Sequence, residues 1–102
     1  LSVVVPVVRR AGYRIGLEQH LDVTWAHCRI LGAWSVATCR ALRRDWDALF
    51  ALHGGPIFAV SHTPHGDDPE KFGRFCELMG FEFDGAVTCT DGVERPIYVR
   101  WR

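Results

Sequence analysis

Residues 68–85, DPEKFGRFCELMGFEFDG, leave the chain little choice of local structure. Asp68 is a helix cap by type, and Pro69 suits the first helical position, where a missing N–H forfeits no hydrogen bond. Phe72, Phe75, Cys76 and Met79 recur at i, i+3, i+4 and i+7, the apolar stripe of an amphipathic helix. Gly80 supplies the left-handed residue that ends such a helix, and Phe81 sits where a Schellman motif folds back. Phe81 and Phe83 then alternate with Glu82 and Asp84, which is the period of a strand. The stretch therefore predicts a capped helix running straight into a strand, and the other elements must pack around that unit.

The preceding residues read as strands. Residues 3–10 are β-branched and interrupted by Pro6, which cannot donate to a ladder, so they predict an edge strand or a bulge. Residues 13–20 alternate, with Tyr13, Ile15 and Leu17 on one side. Residues 23–34 predict a long central strand, apolar on both faces. Ser35 or Thr38 then caps a helix to about Leu52, with Cys39, Leu42, Trp46, Leu49 and Phe50 buried and Arg40, Arg43, Arg44 and Asp47 off that stripe. Gly54-Gly55-Pro56 stops it. Residues 57–60 form a continuous apolar run, expected to be a strand covered on both faces. Residues 81–90 and 94–102 flank Asp91-Gly92, the signal of a hairpin with a type I′ turn. The expected fold is α/β of the α+β kind: a mixed, mostly antiparallel sheet packed by two helices, in the order β-β-β-α-β-α-β-β.

Composition narrows the function. A chain of 102 residues with 48% apolar content makes one domain with a modest core. Twelve cations balance twelve anions, so no bulk attraction to nucleic acid or an anionic membrane is expected. Arg9, Arg10 and Arg14 form a basic patch with Arg100 and Arg102 only if their strands are neighbours. The cysteines, Cys28, Cys39, Cys76 and Cys89, contain no CxxC pair and lie in apolar segments, which predicts free thiols and a cytoplasmic setting. Neither a signal peptide nor a membrane span is legible. There is no Walker loop, no G-x-G-x-x-G and no hydrolase elbow around Ser35 or Ser61. His62, His65, Asp67 and Asp68 crowd one loop, but HxxH without a helix is a weak ligand pattern, and no metal is predicted. Trp25, Trp34 and Trp101 lie on predicted strands; facing outward they would anchor an interface, facing inward they are core.

The segment Phe75-Cys76-Glu77-Leu78-Met79-Gly80-Phe81, followed by Asp84-Gly85 and a final hairpin, resembles the GNAT (N-acetyltransferase) superfamily. The likeness runs through residues 1–102 as a single domain without the family's usual N-terminal strand and first two helices. In brevity the chain is most similar to reduced GNAT-like proteins of tailed phages, some of them internal virion proteins. The resemblance implies that acetyl-CoA enters where the central strand, ending near Trp34, splays from residues 57–60. It implies a pyrophosphate loop at residues 36–44, with Trp34, Val36, Arg40, Arg43 and Arg44 as cofactor-binding candidates. The family's glycines are replaced here, which matters because glycine lets phosphate approach the backbone. Cys76 occupies the place of the family's Tyr proton donor. Glu18 and His27 are candidates by type for a general base.

Two functions follow as expectations. One is contact with other protein chains, its own copies or virion proteins, without catalysis, in the host cytoplasm or a virion. The other is acetyl-CoA-dependent transfer of an acyl group to an amine acceptor. Neither a membrane nor a nucleic acid is expected as partner.

Overall fold

The computed structural model describes residues 3–61 and 68–101. Its elements are β1 (Val4–Arg9), β2 (Tyr13–His20), β3 (Val23–Ile30), α1 (Val36–His53), β4 (Ile57–Ala59), α2 (Pro69–Leu78), β5 (Glu82–Thr88) and β6 (Glu94–Arg100). The element order is the predicted one. The strands form one open six-stranded sheet, in the order β1-β2-β3-β4-β6-β5. Only β3 and β4 pair in parallel; the other pairings are antiparallel. The fold is α+β, a mixed sheet with two helices.

Strand alternation decides which face is covered. Tyr13, Ile15, Ala26, Ile57, Ala59 and Tyr98 point to one face, where they meet Leu42, Trp46 and Phe50 of α1 and Cys76 and Met79 at α2. Ile15, Leu42, Trp46, Ile57 and Met79 are completely buried, each contributing roughly 1.5–3 kcal/mol by leaving water. Phe81 sets its ring edge-on to Trp46 and Phe50, with centres 5.6 and 5.9 Å away. Among the described residues, no helix covers the opposite face. Residues 57–60 are expected to be covered on both faces: Ile57 and Ala59 are buried under the helices, whereas Phe58, half-buried on the helix-free face, pairs with the fully buried Val99 and lies beside Trp25 and Trp101, at 5.8 and 6.3 Å.

Local chemistry sets the boundaries. Ser35, rather than Thr38, caps α1, its Oγ accepting from the Thr38 N–H at 3.1 Å. Asp68 caps α2 by accepting from the Glu70 N–H at 3.0 Å. At the far end Gly80 has φ +88°, and the N–H groups of Gly80 and Phe81 donate to the carbonyls of Glu77 and Cys76, the two bonds of a Schellman motif. The bulge expected at Pro6 lies between Pro6 and Val8 on edge strand β1. The central strand ends at Ile30, so Trp34 belongs to the connection before α1. The type I′ geometry falls elsewhere than predicted: Leu21 and Asp22, at φ 53° and 62°, link β2 to β3. At the last hairpin Gly92 alone has positive φ, and its N–H donates to the Cys89 carbonyl, giving a three-residue loop with a glycine bulge. No helix among the described residues is long and apolar enough to cross a membrane.

Candidate functional site

β3 and β4 meet at one register pair, Trp25 with Phe58. Beyond it they make no ladder, and a cleft of about 380 Å³ opens toward the helices. Ala26, Cys28 and Ile30 line it from β3, Ala59 to Ser61 from the β4 side, and Phe72, Phe75 and Cys76 from α2. Trp46, Met79 and Phe81 line it from the core. The size lies in the range of small-molecule sites, about 300–1,000 Å³. Two small residues, Ala26 and Ala59, keep the space between the strands and α2 open, and that is the sequence signal from which the cleft is legible in retrospect.

The lining is mostly apolar. Its polar members are Ser61, Lys71, the Cys28 and Cys76 thiols, and His27; no Asp or Glu lines it among the described residues. Burial pushes the Cys28 thiol up to about 12. Burial does the same to Cys76, also to about 12, helped by the nearby Cys28 and Glu77. Both are therefore thiols at neutral pH, poor nucleophiles but intact S–H groups. The Trp46 indole N–H is buried without a hydrogen-bond partner.

Glu18 and His27 come together, with Nε2 and Oε1 2.7 Å apart, but on the helix-free face. The alternation explains this: Glu18 stands opposite Trp25, and His27 opposite Gly16, while their neighbours Leu17 and Ala26 face the helices. His27 borders the cleft through its place on β3, yet its ring is engaged away from Cys76.

The residues that the resemblance assigns to the cofactor are only partly brought together. Trp34 is half-exposed and sets its ring against Phe75, 5.8 Å away, beside the cleft. Val36 opens α1, where the N–H groups of Val36 and Ala37 lack intrahelical partners. Arg40 is exposed in the second turn of α1, and Arg44 is exposed one turn further along the same side. Arg43 is not available with them: it donates to Asp47 Oδ1 at 2.9 Å and to the Leu78 carbonyl at 2.8 Å. The reason is that the last carbonyls of α2 need donors, and Arg43 is the α1 side chain that reaches them.

The condition for a basic patch of Arg9, Arg10 and Arg14 with Arg100 is not met, because β1 and β2 are not neighbours of β6. Arg10 forks onto Asp45 of α1, at 2.9 and 3.0 Å, and Arg100 bonds Asp47 at 2.6 Å beneath the helices. Arg102 lies outside the described residues, as do His62, His65 and Asp67. Among the described residues, no group of three or more His, Cys, Asp or Glu could hold a metal. No protein-family model, curated protein or solved structure matches this chain.

Proposed function

We propose that the chain is a GNAT-like protein that takes an acyl thioester, of the acetyl-CoA kind, into the cleft between β3 and β4. The observation carrying this reading is the single β3–β4 register pair with an apolar cleft beyond it. A pantetheine arm is an extended chain bearing amides. The unpaired edges of β3 and β4 offer it backbone N–H and C=O groups, while the apolar lining accepts its methylenes and acyl group. Arg40 and Arg44, with the N–H groups at the start of α1, suit the phosphates.

In the transfer reaction such a ligand serves, an amine attacks the thioester carbonyl. A C–N bond forms, the C–S bond breaks, the amine gives up a proton and the leaving thiolate takes one. Backbone N–H groups on the open strand edge stabilise the oxyanion. Cys76 lines the same cleft in the place of the family's proton donor, but burial makes it a weaker acid than the leaving thiol, so in this reading the thiolate takes its proton from the attacking amine or from solvent.

A second reading is contact without turnover, as in a virion or assembly protein, with other protein chains as partners. It is supported by the lack of a carboxylate along the described part of the cleft and by the engagement of Arg43 elsewhere.

Calorimetric titration with acetyl-CoA tests the first reading. Binding weakened by Arg40→Ala/Arg44→Ala, and abolished by Ala59→Leu in the cleft, supports it. No heat and no thermal shift at millimolar ligand overturns it and leaves contact as the function. Binding without acyl transfer to any of a panel of amines supports a ligand-binding protein that has no turnover.

A further inference from the structure

On the sheet face left bare of helices, three arginines stand in direct cross-strand register. Arg9 of β1 pairs with Arg14 of β2, and Arg14 pairs with Arg29 of β3. Direct partners in antiparallel strands project to the same face, so the three arginines form a ladder with one step per strand, the backbones about 4.8 Å apart. All three residues are exposed, and none makes an ion pair with a described carboxylate. Arg14 also donates to the Arg10 and Tyr13 carbonyls, which holds its guanidinium in place without neutralising it. Like charges directly opposite one another on a sheet repel. Among the described residues no carboxylate pairs with them to offset that repulsion, although the chain's charges balance overall and Asp45 and Asp47 are spent on other arginines.

The same face carries aromatic rings. Trp25, on the strand of Arg29 and about 13 Å along it, begins a row that continues through Phe58 to the half-exposed Trp101. Beside the ladder lies a shallow basin of about 400 Å³, lined by Arg14 and Arg29 together with Val4, Pro6 and His27. Glu18, a carboxylate on this face, is bonded to His27.

We propose that this face binds single-stranded nucleic acid, with the Arg9–Arg14–Arg29 ladder on the phosphates and the Trp25 row stacking bases. Arginine forks match phosphate oxygens two at a time. A sheet face bearing partly exposed rings, here Trp25, Phe58 and Trp101, is an arrangement that reads unstacked bases. A duplex would hide its bases from those rings. An acidic protein would satisfy the arginines but leave the rings beside them without flat partners. The net charge of zero does not oppose this, since a local patch sets the field within about 8–10 Å of itself. The inference does not rest on the cleft, which opens on the other face.

The test is fluorescence anisotropy of a dye-labelled oligo-dT or oligo-rU of about twelve nucleotides, titrated with the full chain across a salt series. Three phosphate contacts predict a slope of log K against log salt near −2, at about −0.7 per contact on a single strand. Arg9→Gln/Arg14→Gln/Arg29→Gln should remove most of that slope and weaken binding more than about thirtyfold. Trp25→Ala should weaken binding about tenfold and leave the slope unchanged. Matching thermal melts establish that each variant folds, and the single Arg29→Gln variant, expected to lower the slope by about one contact, serves if the triple does not. No anisotropy change at low salt overturns the proposal. So does equal displacement by poly-glutamate at matched charge, which would make the face a docking site for acidic protein. A salt slope unmoved by the arginine variants overturns it as well.

Discussion

The guanidinium of Arg43, on α1, donates to the main-chain carbonyl of Leu78, at the end of α2, at 2.8 Å. The bond ties the two helices together and engages Arg43 away from Arg40 and Arg44. Arg43→Ala should lower unfolding stability by about 1 kcal/mol in urea, the order expected of one partly exposed hydrogen bond with its ion pair, while leaving acetyl-CoA affinity unchanged. Arg40→Ala should do the reverse. A loss of affinity in Arg43→Ala as large as in Arg40→Ala would return Arg43 to the site.

Gly73 sits within α2 against Tyr98, and a Cβ there would lie 2.4 Å from the Tyr98 hydroxyl oxygen. Alanine is a better helix former by about 1 kcal/mol, so propensity and packing oppose each other. The overlap should win: Gly73→Ala is expected to destabilise by about 1–3 kcal/mol. In a Tyr98→Phe background the obstructing oxygen is gone and the same change should be near neutral. A double-mutant cycle showing no coupling would disprove the contact.

Gly80 holds φ +88° at the end of α2. An added Cβ would meet strained backbone and the Arg100 guanidinium at 3.2 Å. Gly80→Ala should cost roughly 1–2 kcal/mol, and Gly80→Asn less, because Asn tolerates the left-handed region. Equilibrium denaturation of the two variants distinguishes backbone strain, in which they differ, from simple crowding, in which Asn is the worse.

The Arg95 fork holds the Asp91 carboxyl at about 2, below its ordinary 3.8, assisted by the Val93 N–H. A depressed carboxyl contributes stability that is complete above the unfolded value and is lost as pH falls through the folded one. The hydrogen bond from Arg10 shifts Asp45 in the same direction. Melting temperature should therefore fall between about pH 4 and pH 2. The gap between wild type and Asp91→Asn should be widest above that window and close within it. A gap independent of pH would remove the Arg95 pairing as its cause.

Burial that pushes Cys28 and Cys76 up to about 12 also shields them from alkylation. Under native conditions near neutral pH, iodoacetamide should label the half-buried Cys39 and Cys89 first, and reach Cys28 and Cys76 only after urea unfolds the chain. Peptide mapping by mass spectrometry reads this directly. Native labelling of Cys76 at the rate of Cys39 would show the cleft thiol to be an accessible nucleophile.

Much of the fold was legible residue by residue, because the signals were local. The spacing of Phe72, Phe75, Cys76 and Met79, the cap at Asp68 and the stop at Gly80 act within one or two turns of chain. Their outcome hardly depends on what lies further away. Turn type was less legible: Asp91-Gly92 carried the dipeptide of a two-residue hairpin, but pairing of β5 with β6 began one residue further out and made a bulged loop of it. Leu21-Asp22 has no such dipeptide, yet the His20–Val23 register leaves only two residues to close the turn.

By itself, then, the sequence determined the elements, their order and the buried stripes, since periodicity and capping are properties of neighbours along the chain. Tertiary structure alone decided which of the basic residues stand together. Arg10 and Arg100 were drawn to α1 by Asp45 and Asp47, and strand register lined up Arg9, Arg14 and Arg29 on the bare face. It alone separated Glu18 and His27 from Cys76, because one step along a strand exchanges faces. It alone opened the cleft, since the room left by Ala26 and Ala59 becomes a cavity only when β3 and β4 part beneath α2. These relations are set by pairing between residues far apart in the chain, and no local pattern encodes them.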